Sequence, residues 1–349
     1  MAAEVRVEIP AEAVATNGGG AVRRDRPTDP GSRRFSALSG RAPRWHRLAE
    51  VAVKLMAFTS IAAVVLVFLF VAREAYPLFI GNRFHDEVTI PKMLFAQAWP
   101  GYDEPVHDWQ PVGEIPKYGI VPLLVGTLKV TLVSLLLAVP LAVAAAVYVS
   151  QLAGPTVREY VKPAIELLAG IPSVVLGFFA LISMATVFQR AFGFDMRLNA
   201  VVAGAALAIA IIPVVFTIAE DAITAVPRSF VEASEALGAR RWQTVVRAVV
   251  PAASPGIAAA VALGVGRAFG ETMVVLMASG NAAIVSWTLA DSVRTIPATI
   301  ASELAEVVFG EGHYTVLFAL GAFLFVVTAG VNYAGDRMIS RMRARMGTA

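Results

Sequence analysis

Residues 123–149 read LLVGTLKVTLVSLLLAVPLAVAAAVYV, with Lys129 as the one charge in the run. A bilayer core of about 30 Å is crossed by about 20 apolar residues in a helix, and this stretch exceeds that length. It decides the class: an integral membrane protein. Outward from it, five more runs meet the same requirement, at about Leu48 to Val71, Ile165 to Phe188, Ala200 to Ile218, Gly256 to Met277 and Tyr314 to Tyr333. The fifth is the least apolar, because it holds Arg267 and Glu271. The expectation is an all-α membrane domain of about six transmembrane helices over residues 48–337. Composition agrees: of 349 residues 57% are hydrophobic and 16% charged, against about 25% charged in a soluble domain.

The polar parts divide into a few pieces. Residues 1–47 are rich in Gly, Pro and Arg without a repeating apolar face, which reads as a disordered basic tail. The run after it is longer than a signal-peptide core and has no small-residue cleavage site, so it is expected to stay as an anchor. A long loop covers about 73–120, a second polar loop about 220–251, and a short basic tail 338–349. Most flanking Lys and Arg fall on one side, including Arg44, Arg47, Arg158, Lys162, Arg240, Arg241, Arg337 and Arg341. By the positive-inside rule both termini are cytoplasmic and the 73–120 loop faces outward. Lys129, near the outer end of the second span, is expected to snorkel to the interface.

Several function classes drop out. The net charge of +3 is spread over tails and loops, so nucleic acid is not an expected partner. Cysteine is absent, which removes disulfides and thiolate chemistry. His46, His85, His107 and His313 have no ligand-type spacing, so neither a metal site nor a catalytic residue is assigned. No phosphate-cradling G-x-x-x-x-G-K-[ST] loop occurs. Gly266 and Gly270 form a small-xxx-small pair suited to close helix packing.

The 220–251 loop holds Glu232-Ala233-Ser234-Glu235-Ala236-Leu237-Gly238, then Arg240-Arg241-Trp242 and Pro251. A helix-forming run ends at Gly238, a natural residue just past a helix end, and Pro251 precedes the next span. Composition alone reads this as an amphipathic surface helix. Glu232, Ala233, Gly238 and Pro251 keep the spacing of the EAA loop of bacterial ABC importer permeases, with Ser234 for the second Ala and Val250 for the usual Leu.

Within that superfamily the chain, from about Tyr118 to its C-terminus, resembles the C-type permease of phosphate importers. The resemblance is carried by Tyr118-Gly119-Ile120-Val121-Pro122, by Leu168-Ala169-Gly170-Ile171-Pro172-Ser173-Val174-Val175, by Gly266-Arg267-Ala268-Phe269-Gly270-Glu271-Thr272-Met273, and by Ser279-Gly280-Asn281. It implies a type I ABC importer permease fold in a bacterial plasma membrane. It implies that the EAA helix docks on an ATPase subunit, through which ATP and Mg act, so that this chain is not an enzyme and carries no cofactor. The partners it implies are an A-type permease, an ATPase dimer and an extracytoplasmic phosphate-binding protein.

Arg267 and Glu271 each cost about 2.5–3.5 kcal/mol at the bilayer centre. Four residues apart on a helix they would share a face. Two readings stay open: a structural ion pair, and a substrate pathway in which the planar guanidinium meets an anion. The resemblance implies that both are needed for phosphate uptake. Rival functions are a permease for another oxyanion, sulfate or molybdate, and an ion-coupled secondary transporter.

Overall fold

The computed structural model describes residues 44–80 and 88–345. The expected disordered tail therefore lies, up to residue 43, outside the described residues, as do 81–87 and 346–349. The chain forms two compact units, up to Ala62 and from Ala63. The first holds the start of helix α1 (Arg44–Ile80), where Glu50 and Lys54 pair at 2.6 Å in the favourable i,i+4 order.

The second unit opens, after α1, with the short helix α2 (Ile90–Leu94) and a two-residue hairpin of β1 (Trp109–Gln110) and β2 (Lys117–Tyr118), Trp109 facing Tyr118. Then come α3 (Val121–Val147), which ends in a π-turn at Tyr148–Leu152, and α4 (Pro155–Ala169). Next are α5 (Ser173–Phe179), a π-turn, α6 (Ala185–Phe192) and α7 (Ala200–Thr224). They are followed by α8 (Arg228–Ala236), α9 (Arg241–Thr244), a third π-turn at Val245–Val249 and α10 (Val250–Gly270). Last are α11 (Met273–Ala278), α12 (Ile296–Glu303) and α13 (Gly312–Arg345). Among the described residues six stretches are long and apolar enough to cross a membrane: Leu48–Ile80, Val121–Leu152, Ser173–Phe192, Ala200–Thr224, Arg241–Gly270 and Gly312–Met342.

Two of these, the third and the fifth, differ markedly from the sequence expectation. The third begins at Ser173 rather than Ile165, because Pro172 lacks an N–H and disfavours helical geometry before it, leaving α4 as a separate amphipathic helix. The fifth begins at Arg241 rather than Gly256: the helix continues through polar residues that hydropathy discounts. Pro251 thus sits inside a continuous helix and does not close a loop before it. The π-turn at Val245–Val249 takes up the hydrogen-bond shift that a proline imposes. The fifth span also ends at Gly270, short of Met277.

Helix α7 is the centre of this unit. In lipid the hydrophobic effect does not press helices together, so close approach depends on small residues. Seven buried alanines and Gly204 supply it: a Cβ at Gly204 would lie 2.6 Å from Val133 of α3. Phe216, Leu207, Ile211 and Ile223 fill the remaining space and are fully buried. Buried Asn199 caps the helix by accepting from the Val202 N–H at 3.0 Å.

Candidate functional site

Arg267 and Glu271 do not form the i,i+4 pair expected of them. Helix α10 stops at Gly270, and Glu271 is extended, with φ −71° and ψ 128°, before α11 starts at Met273. Among the described residues no ion pair joins the two side chains. Arg267 is exposed on this chain and Glu271 half-buried. The structural-pair reading is thereby corrected; the cause is the helix break. Broken helices at membrane depth are found where backbone lines a cavity or is buried in protein.

Glu271 borders a narrow gap, too tight for a water molecule, together with Thr127, Thr131, Thr295 and Pro297. One glycine builds it. A Cβ at Gly126 would sit 2.1 Å from the Arg294 carbonyl oxygen, so only glycine lets residues 294–296 lie directly on α3. The Ile296 N–H then donates to Thr127 Oγ1 at 3.1 Å, while that hydroxyl donates to the Leu123 carbonyl at 2.7 Å. Beyond Pro297 an open, mostly apolar groove of about 460 Å³ runs past Gly270 and Thr272. Of the packing pair, Gly266 faces Asn332 of α13, 3.3 Å from where a Cβ would be, whereas Gly270 meets nothing within 4 Å. The tighter glycine contacts on α10 are Gly256 against Ala222 and Gly264 against Val215.

The EAA segment forms α8 and ends as its sequence suggests. Gly238 is left-handed at φ +82°; its N–H donates to the Glu235 carbonyl at 2.9 Å, and the Ala239 N–H to Ser234 at 3.2 Å. This is a Schellman end. Ser234, the departure from the EAA pattern, has its hydroxyl 3.0 Å from that of Thr244, tying α8 to α9. Glu232 and Ala233 are exposed, and Leu237 is 90% exposed. Pro251 lines a groove of about 820 Å³ with Phe230, Arg247 and Gly256.

Sequence reasoning missed three polar clusters. Glu220 of α7 is fully buried and accepts from Arg158 at 2.8 Å, Lys162 at 2.6 Å and Thr224 at 3.1 Å. The hydrogen bond to Glu220 holds the Lys162 ammonium above its ordinary value of 10.5, against desolvation. The available signal was one Glu in an apolar run opposite an Arg-x-x-x-Lys spacing. Lys129 does not snorkel: it is buried and donates to the Thr288 carbonyl at 2.9 Å. Nearby Asp291 accepts from Ser286 and Thr288, which holds its carboxyl below the usual range. Glu303 pairs with Arg294 at 2.8 Å and lies 2.9 Å from His313, and it accepts from the Trp109 indole at 3.1 Å. Trp109 lies 194 residues from Glu303, and His313 stands ten away at no helical spacing, so no local pattern announces them.

With this geometry in hand, comparison with known proteins defines the class. Residues 120–344 match the family described as binding-protein-dependent transport system inner membrane component. The chain belongs to that family, as a membrane-spanning permease subunit. It is 33% identical to the phosphate transport system permease protein PstC of Mesorhizobium japonicum, over 73% of this chain and 84% of that one. It is 36% identical to the probable ABC transporter permease protein YqgH of Bacillus subtilis, over 63% and 72%. In fold it is similar to a chain of a bacterial alginate ABC transporter solved with a pentasaccharide-bound periplasmic protein, with a TM-score of 0.55 and 14% identity over 84% of this chain and 97% of that one.

Proposed function

We propose that this chain is the C-type half of the membrane pathway of an ATP-driven importer, carrying inorganic phosphate into the cytoplasm. The observation that carries the substrate is its likeness, over most of both chains, to a phosphate transport permease. Supporting the ATP-driven mechanism is α8, a short helix with a rigid left-handed end and an unburied Leu237, shaped to dock on a separate ATPase subunit. An A-type permease supplies the other half and an extracytoplasmic phosphate-binding protein delivers the anion. Both termini are cytoplasmic, as the arginine asymmetry predicts. Arg267, exposed at membrane depth, faces the partner half, where its fork meets the anion. Closure of the ATPase dimer draws the α8 helices together and rocks the halves apart; hydrolysis resets them, and ATP and Mg act only on the partner.

The test is co-purification from the membrane followed by uptake of labelled phosphate into vesicles with the cognate binding protein. An ATPase and an A-type permease are expected to co-purify, with uptake dependent on ATP and not reduced by equal sulfate. Import of sulfate or molybdate instead, or uptake driven by an ion gradient without ATP, would refute this reading.

A further inference from the structure

The gap beside Glu271 brings together hydroxyls and a carboxylate among Val130, Phe269 and Val275. Thr127 is already occupied by its two hydrogen bonds. Thr295 is not: it is 2% exposed and its Oγ1 is buried without a hydrogen-bond partner. Leaving a buried hydroxyl unpaired costs about 1–3 kcal/mol, a cost that calls for an explanation in a native fold. Thr131, also 2% exposed, adds a second hydroxyl to the lining from α3.

The mixture of donors and acceptor selects among anions. Hydroxyls donate to any oxyanion. A carboxylate only accepts, so it repels sulfate, which is fully ionised and offers no proton. Phosphate at neutral pH keeps at least one O–H, and a carboxylate that accepts it forms a charge-assisted hydrogen bond.

We propose that Thr295, Thr131 and Glu271 form a subsite for a protonated tetrahedral oxyanion, in which the two hydroxyls donate to bare oxygens and Glu271 accepts from the anion's own O–H. The subsite rests on the phosphate-import reading and adds to it a discrimination against sulfate within the membrane pathway. The gap has no room for a water-sized sphere, so the anion enters only when the walls part. Pro297 belongs both to this gap and to the open groove past Gly270 and Thr272, and is the wall whose displacement joins them.

Since the chain has no cysteine, Thr295→Cys sets a single thiol of this chain in the gap. The assembled importer is held with a non-hydrolysable ATP analogue, and alkylation of that thiol is followed by the mass of the chain. Phosphate at about ten times its dissociation constant is expected to slow alkylation about tenfold, by occupancy of the site, and equal sulfate to leave it unchanged. With Glu271→Gln added, whose amide donates, sulfate is expected to protect as well. Protection by neither anion, equal protection by both, or no effect of Glu271→Gln overturns the subsite. Unmodified importer that still takes up labelled phosphate in that case leaves the transport reading standing; failure of that uptake removes the reading itself. A second measure needs no thiol: Thr295→Ser is expected to retain uptake and Thr295→Val to lower it about tenfold per assembled complex, and equal uptake by the two also overturns the proposal.

Discussion

Arg267 sits on the last turn of α10 and Glu271 lies just past its end on extended backbone, so the two side chains share no helix face. Removing either one therefore strands no ion-pair partner among the described residues. Arg267→Leu and Glu271→Leu should each leave the extracted complex within about twofold of the unmodified amount, since no buried pair is broken, while phosphate uptake falls to background. Arg267→Lys keeps the charge and loses the fork, and partial uptake is expected. A shortfall in assembly in both single variants that the double variant repairs would reinstate a pair.

The Glu220 cluster is where a broken partnership should show. Glu220 is fully buried, while Arg158 and Lys162 are partly open to solvent, so water offsets some of the loss. Glu220→Ala should cost about 1–3 kcal/mol, read as a lower thermal midpoint of the detergent-extracted protein. Arg158→Ala should cost less, because Lys162 still holds the carboxylate. The pH dependence has a definite sign. Lys162 has its value raised above 10.5 in the folded protein, so its contribution is complete below 10.5 and is lost only as pH rises through the folded value. Between about pH 6 and pH 9 the gap between Glu220→Ala and the unmodified protein should stay constant.

Gly238 offers a graded test of α8. A Cβ there would meet no atom within 4 Å, but the residue is left-handed at φ +82°, so a substitution is penalised by conformation alone. Asn tolerates that region and a β-branched residue does not. Gly238→Asn should keep most of the ATP hydrolysis stimulated by the binding protein, and Gly238→Val should lose it with the complex still assembled. Equal activity in both would detach the helix end from energy coupling.

Topology is open to the same single-cysteine chemistry. Glu311 and Ala344 are exposed at opposite ends of α13, whereas Gly312 is buried and would report poorly. Glu311→Cys should react with an impermeant reagent added outside intact cells, and Ala344→Cys only after lysis. The reverse pattern would invert the orientation drawn from the arginines.

The six spans were legible because length and apolarity are properties of contiguous residues. So was the end of α8, since a left-handed helix end leaves a glycine in the sequence. The break at Glu271 was not, because Gly270-Glu271-Thr272 contains no proline and interrupts an otherwise apolar run. Nor was Thr295 as a wall of the gap: its neighbours Thr127 and Thr131 are more than 160 residues away, and the contact depends on Gly126 admitting the backbone of Arg294. Lys129 was misread because a cation near a span end has a ready local explanation, and its true acceptor, the Thr288 carbonyl, has no side-chain signature.

The contact at Gly126 divides α3 into positions with opposite tolerance to substitution. Leu128, Leu132 and Leu136 are 51%, 57% and 76% exposed, and on an exposed apolar surface one branched aliphatic replaces another at small cost. Two residues before Leu128, even a methyl group has nowhere to go, and no flexible side chain stands opposite to yield, only the peptide of Arg294. A substitution along this helix is therefore absorbed on one flank and barred at a single position on the other.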